Sequence, residues 1–137
     1  MQHDTTPSAD AHAWLQLAVQ DLRRVRLLLA ATPADVEGAL FHCQQAAEKA
    51  LKGFLAWHDI QFRRVHDLGE LGRQCAQLDP TLKELVQRAS SLSEYAVRFR
   101  YPGAPYQPTQ LEAQTAEELS REVVEAILNR LPGEARP

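Results

Sequence analysis

Residues able to do chemistry gather at three places in this chain. The first is Phe41–Leu55, FHCQQAAEKALKGFL, which carries Gln44, Gln45, Glu48, Lys49 and Lys52 beside an apolar stripe. The second is His66-Asp67-Leu68, and the third is Tyr95–Pro102, YAVRFRYP, with Arg98, Arg100 and Tyr101. Arginine beside tyrosine can hold a phosphate and stack on a base. Arginines also suit the negative end of a helix dipole, and a polar strip can be a solvated face, so residue types alone leave both readings open. Asp21 is a fourth feature, because it falls on the apolar line Trp14–Ala18–Asp21–Val25–Leu28. A carboxylate there must be paired, hydrogen-bonded or protonated. It reads either as an edge position, solvated or bridged to an arginine, or as the partner of a basic residue from another helix.

Several chemistries find no support. There is no glycine-rich phosphate loop and no dinucleotide fingerprint. The histidines stand at positions 3, 12, 42, 58 and 66 with no His-x3-His pair, and Cys43 and Cys75 lie far apart, so neither a metal site nor a cofactor is expected. Two thiols make no disulfide framework and suit a reducing cytoplasm. A formal charge of −3 gives no general pull toward nucleic acid or anionic membrane. No apolar run approaches the ~18 residues of a membrane span, and the polar start MQHDTTPSADAH lacks the order of a signal peptide. A cytoplasmic protein is expected, with no membrane partner.

The elements that must position these residues are helical throughout. Trp14, Leu15, Ala18, Leu22, Val25, Leu28 and Leu29 recur at steps of three and four, with Ser8 or Asp10 as the expected cap and Ala31-Thr32-Pro33 as the end. Asp35 opens a second helix, in which Gly53 implies close packing against a neighbour. A loop near His58–Val65 leads to a shorter helix from His66 or Asp67 to about Leu78, stopped by Asp79-Pro80. The spacing of Leu82, Leu85, Ala89, Leu92, Ala96 and Phe99 predicts a fourth helix, carrying a polar line of Glu84, Arg88, Ser91, Tyr95 and Arg98. Thr109 or Gln110 starts the last, with a face of Leu111, Ala116, Leu119, Val123, Ala126, Ile127 and Leu131. The fold expected is all-α: an antiparallel up-and-down four-helix bundle with an additional short helix. It would occupy residues 10–131, between a flexible lead (1–9) and a tail (132–137).

Trp14-Leu15 with Ala18 and Asp21-Leu22, the QAAEKALK run at 45–52, His66-Asp67-Leu68, Tyr95 and Arg100-Tyr101-Pro102 together resemble the HEPN domain family, the higher eukaryotes and prokaryotes nucleotide-binding domain. The resemblance implies a helical bundle that is commonly a homodimer. Small prokaryotic members often stand beside a minimal nucleotidyltransferase in a toxin–antitoxin-like pair, and many toxic members are metal-independent endoribonucleases. Their mark is an arginine followed after four to six residues by a histidine. No histidine follows position 66 here, and Arg63 and Arg64 stand too close to His66, so that mark is missing. Without it no general acid or base near neutral pH is evident for attack by a 2′-hydroxyl. The resemblance therefore implies a non-catalytic bundle binding a nucleotide, RNA or a partner through Lys49, Lys52, Arg98, Arg100 and Tyr101. Asp21, Glu48, His66 and Tyr95 would support them, and no catalytic residue is assigned. The rival expectation is a divergent ribonuclease using Arg98 or Arg100 with His42 or His66.

Overall fold

Capping side chains set most of the helix boundaries. In a computed structural model, which describes residues 6–62, 67–97 and 107–137, α1 spans Pro7–Ala30. Its cap is Thr6, whose Oγ1 accepts from the Ala9 N–H at 3.1 Å, rather than Ser8 or Asp10. Pro7 explains the difference, since its fixed φ pre-sets the first helical position and leaves the next residues inside the turn. α2 spans Val36–Trp57 behind Asp35, whose Oδ1 accepts from Gly38 N–H at 2.9 Å. It closes with Asp59 at φ 55°, Ile60 N–H donating to Leu55 O and Asp59 N–H to Ala56 O, a Schellman ending with aspartate in the usual glycine place. α3 spans Leu68–Leu78 and is capped by Asp67.

The predicted fourth helix is not one rod. A 3-10 turn at Pro80–Leu82 leads into α4, Lys83–Ala89, and the chain then tightens into 3-10 helix over Ser90–Ala96. The serines account for the change. Ser90 Oγ donates to Gln87 O at 2.7 Å and Ser91 Oγ to Arg88 O at 3.0 Å, drawing carbonyls toward side chains three residues on. Phe99, the expected end of that helix, lies outside the described residues. α5 spans Gln110–Leu128 and is capped by Thr109. Its buried line begins at Ala113, and Leu111, expected on the apolar face, is 71% exposed because two helical residues turn it about 200° away.

Among the described residues there is no strand, and no helix is long and apolar enough to cross a membrane. α1 and α2 run antiparallel: Gly53 faces Trp14 and Leu15, while Lys49 reaches back to Asp21. α5 packs on both, α3 and the Ser90–Ala96 segment close further sides of α2, and α4 packs against α3 and α5. Arg88 reaches Glu122 and Tyr95 reaches Glu112, so the chain from α4 into the second 3-10 segment runs antiparallel to α5. Arg130 ties the end of α5 to the α3–α4 connection through Asp79 (2.7 Å) and Thr81 (2.8 Å).

Two glycines mark where helices touch backbone to side chain. A Cβ on Gly53 would lie 2.0 Å from Leu15 Cδ2, which bears out the close packing expected there. A Cβ on Gly72 would meet Val86 Cβ at 2.7 Å, and that atom is fixed to the α4 backbone. Helix propensity alone favours Gly72→Ala by about 1 kcal/mol. The clash should reverse the sign, giving a protein about 1–3 kcal/mol less stable in urea unfolding; a stabilised variant would contradict this contact. A second expectation concerns acid. Hydrogen bonds from Thr81 and then from Arg130 hold the Asp79 carboxyl below its ordinary 3.8. Its contribution is complete above that value and fades as pH falls through the lower folded one. Asp79→Asn should therefore flatten the acid side of the stability curve, measured by thermal unfolding between pH 5 and 2, and an unchanged slope would remove Asp79 from it.

Candidate functional site

Asp21 is buried at the α1–α2 contact, and the side chains of Lys49, Arg24 and His42 converge on it. Lys49 Nζ donates to Oδ2 at 2.5 Å; Arg24 Nη1 donates to Oδ1 at 3.2 Å; His42 Nδ1 lies 2.8 Å from the same oxygen. Lys49 and His42 come from α2, so the reading of Asp21 as a partner for another helix's basic residue holds, with Arg24 of its own helix added. With Nδ1–H facing a carboxylate, a neutral His42 ring presents Nε2 as its acceptor, and a quarter of that side chain is exposed.

One helical turn further along, a second network fills the same seam. Glu48 Oε2 accepts from Lys52 Nζ at 3.0 Å and Oε1 from Gln44 Nε2 at 2.8 Å; Gln44 Oε1 in turn accepts from Gln45 Nε2 at 2.6 Å. The Lys52 ammonium also lies 5.4 Å from the Trp14 ring centre and 5.7 Å from that of Phe62, whose rings meet edge to face. Both rings attract the cation through their negative faces. Gln44, Glu48 and Lys52 are buried, so the reading of these polar residues as a solvated face does not hold for them. The reason is packing on several sides: α1, α3, α5 and the Ser90–Ala96 segment surround α2, so few of its faces meet water. Every buried side-chain polar atom among the described residues has a hydrogen-bond partner.

The structure thus brings Asp21, Lys49, Glu48 and Lys52 together along one interface. Tyr95, placed by the sequence on a polar line, is instead buried, with its hydroxyl donating to Glu112 Oε1 at 2.6 Å. His66, Arg98, Arg100 and Tyr101 lie outside the described residues. Four participants escaped the sequence reading: Arg24, Trp14 as a ring over Lys52, Phe62 and Glu112. Two had a signal in the chain, since Arg24 stands three residues after Asp21 and Thr109-x-x-Glu112 is a capping-box pattern. The aromatic pair had none, because Phe62 reaches Trp14 only through the fold. Cys43 and Cys75 offer no nucleophile: burial pushes both thiols up to about 12.

The sequence matches the HEPN domain family over residues 11–131, nearly the whole chain. No curated protein and no solved structure matches it.

Removing one member of a buried ion pair strands the other. Asp21→Ala should cost on the order of 3 kcal/mol, toward the lower end for such losses because Lys49 and Arg24 keep some contact with water. A double-mutant cycle with Lys49→Ala should return a coupling of about 1–3 kcal/mol. Additive losses would show that the two side chains do not interact.

Proposed function

The chain belongs to the HEPN domain family, a helical family of nucleotide-binding or ribonuclease type, and from that premise we propose that it is a non-catalytic binding member. In this reading it is cytoplasmic, its helices make an antiparallel up-and-down four-helix bundle with α3 as the additional short helix, and it works as a homodimer. Its counterpart is a minimal nucleotidyltransferase, in a toxin–antitoxin-like pair, or a nucleotide. Lys49, Lys52, Arg98, Arg100 and Tyr101 contact that ligand or partner, with Asp21, Glu48, His66 and Tyr95 in support.

The observation that carries the reading is the state of the acidic groups. Asp21 divides its oxygens among Lys49, Arg24 and the His42 ring, and Glu48 is spanned by Gln44 and Lys52, so both carboxylates hold side chains in place rather than stand open to accept a substrate proton. The chain also has no Arg-x4-6-His. Lys49, held by Asp21 and still partly exposed, is a fixed donor whose position is set before any ligand arrives, which lowers the ordering entropy of binding.

One observation favours a second reading, a metal-independent endoribonuclease. Asp21 holds the His42 ring through Nδ1, and in a side chain a quarter exposed Nε2 is the nitrogen left to act as a general base. The two readings separate in one set of assays. Under the first, RNA stays intact at high protein concentration in EDTA, and light scattering gives a dimer. Nucleotide titration then shows ATP binding weakened at least tenfold by Arg98→Ala with Arg100→Ala. RNA cleavage in EDTA that His42→Ala or His66→Ala abolishes would overturn it in favour of the nuclease.

A further inference from the structure

α1 carries a second stripe on the side away from the core. Its inward line, Ala11, Leu15, Ala18 and Val25, is buried. Outward, Ala13, Leu17, Gln20, Arg24, Leu27 and Ala31 recur at steps of four, three, four, three and four, the a/d spacing of a heptad seam. On a straight helix these positions fall within about 80° of arc. All are exposed except the half-buried Gln20, with Leu17 40% and Leu27 64% accessible. The other exposed large hydrophobics among the described residues, Ile60, Leu78, Val97 and Leu111, stand singly on different elements, which is ordinary for a surface.

The order of the stripe selects its occupant. From either end it runs alanine, leucine, polar, polar, leucine, alanine. A helix with that pattern is complementary to itself turned end for end. A two-fold axis beside Leu22 sets Leu17 against the partner's Leu27, Ala13 against the partner's Ala31 and Gln20 against the partner's Arg24, each reciprocally, the isologous form of a closed dimer. Arg24 donates to Asp21 through Nη1, which leaves guanidinium nitrogens for the carboxamide oxygen of Gln20. A parallel pairing would instead set Arg24 against Arg24 in the seam, so charge selects the antiparallel one. Alanines at both ends let the helices approach, and the contact runs about 27 Å. Arg23 flanks the axis in both copies, a like-charge pair opposing the contact that salt screens within a Debye length of about 8 Å.

We propose that this outer stripe of α1 is a self-association surface, on which a second copy of the chain packs its own α1 antiparallel, with Leu17 and Leu27 as the paired apolar anchors. The proposal rests on the homodimer reading above and names the face that reading leaves open.

The test is sedimentation equilibrium of the whole chain across the micromolar range. The expected result is a reversible dimer that tightens as sodium chloride is added. Leu17→Glu or Leu27→Glu should raise its dissociation constant at least tenfold, while Leu111→Glu, at a leucine of similar exposure on α5, leaves it unchanged. Circular dichroism establishes that each variant is folded. Oxidative crosslinking reads the orientation: Leu17→Cys and Leu27→Cys chains, mixed, should join to each other and neither to itself, because antiparallel packing holds like positions about 15 Å apart. Cys43 and Cys75 are buried and do not compete. A dimer indifferent to both glutamate variants of α1, weakened as much by Leu111→Glu, loosened by salt, or crosslinked like to like overturns this face and leaves the homodimer reading standing. A strictly monomeric protein overturns both.

Discussion

The carboxylate of Asp21, held out of water between α1 and α2, takes donors from Lys49, His42 and Arg24, and the antiparallel pairing of the two longest helices is organised around it. An ionised carboxylate in that position is costly unless it is answered on both oxygens. The answer fixes register. Sliding α2 by one turn would carry Lys49 about 5.4 Å along the axis and strand both charges. Apolar side chains tolerate such a slip far better than ions do, so the buried polar seam specifies one alignment where a purely aliphatic contact would permit several.

Close approach makes the seam possible and also makes it demanding. Ala46, Ala47, Ala50 and Gly53 let neighbouring elements lie against α2, and Leu15 occupies the space where a Gly53 side chain would stand. The same proximity excludes water from Gln44, Glu48 and Lys52, which then must satisfy one another. Trp14 and Phe62 complete the shell around the ammonium with rings rather than with solvent. Small residues, paired charges and aromatic faces on α2 are therefore one packing solution, read at three positions.

Much of the helical frame was legible in the chain because its boundaries rest on local chemistry. Asp35, Asp67 and Thr109 cap where their side chains can reach the next turn, and Asp79-Pro80 breaks where a proline must. Ser90 and Ser91 were harder to weigh, because the periodicity of Leu85, Ala89 and Leu92 is compatible with either helical pitch over so short a span. The site was less legible for a different reason. Whether Lys52 faces water depends on which elements surround α2, and no spacing within α2 contains that information. Asp21 could be recognised as anomalous from its place on an apolar line, yet its partners lie on a helix 21 and 28 residues away.

The arginines of α1 show why membership in the HEPN family fixes the frame more firmly than the chemistry. Arg23 and Arg24 are adjacent in sequence and alike in character, but 100° of helical rotation separates them. Arg24 falls on the side of Asp21 and is spent on structure; Arg23 falls toward the end of α5. Arg26, a further turn of angle away, lines neither place. Composition counts three equal cations in this stretch, whereas geometry makes Arg24 a structural partner and turns Arg23 and Arg26 to other sides of the helix. A bundle can thus keep its fold while its binding chemistry shifts from one face to another, because the residues that hold helices together and those that meet a ligand are interleaved on the same helix at different angles.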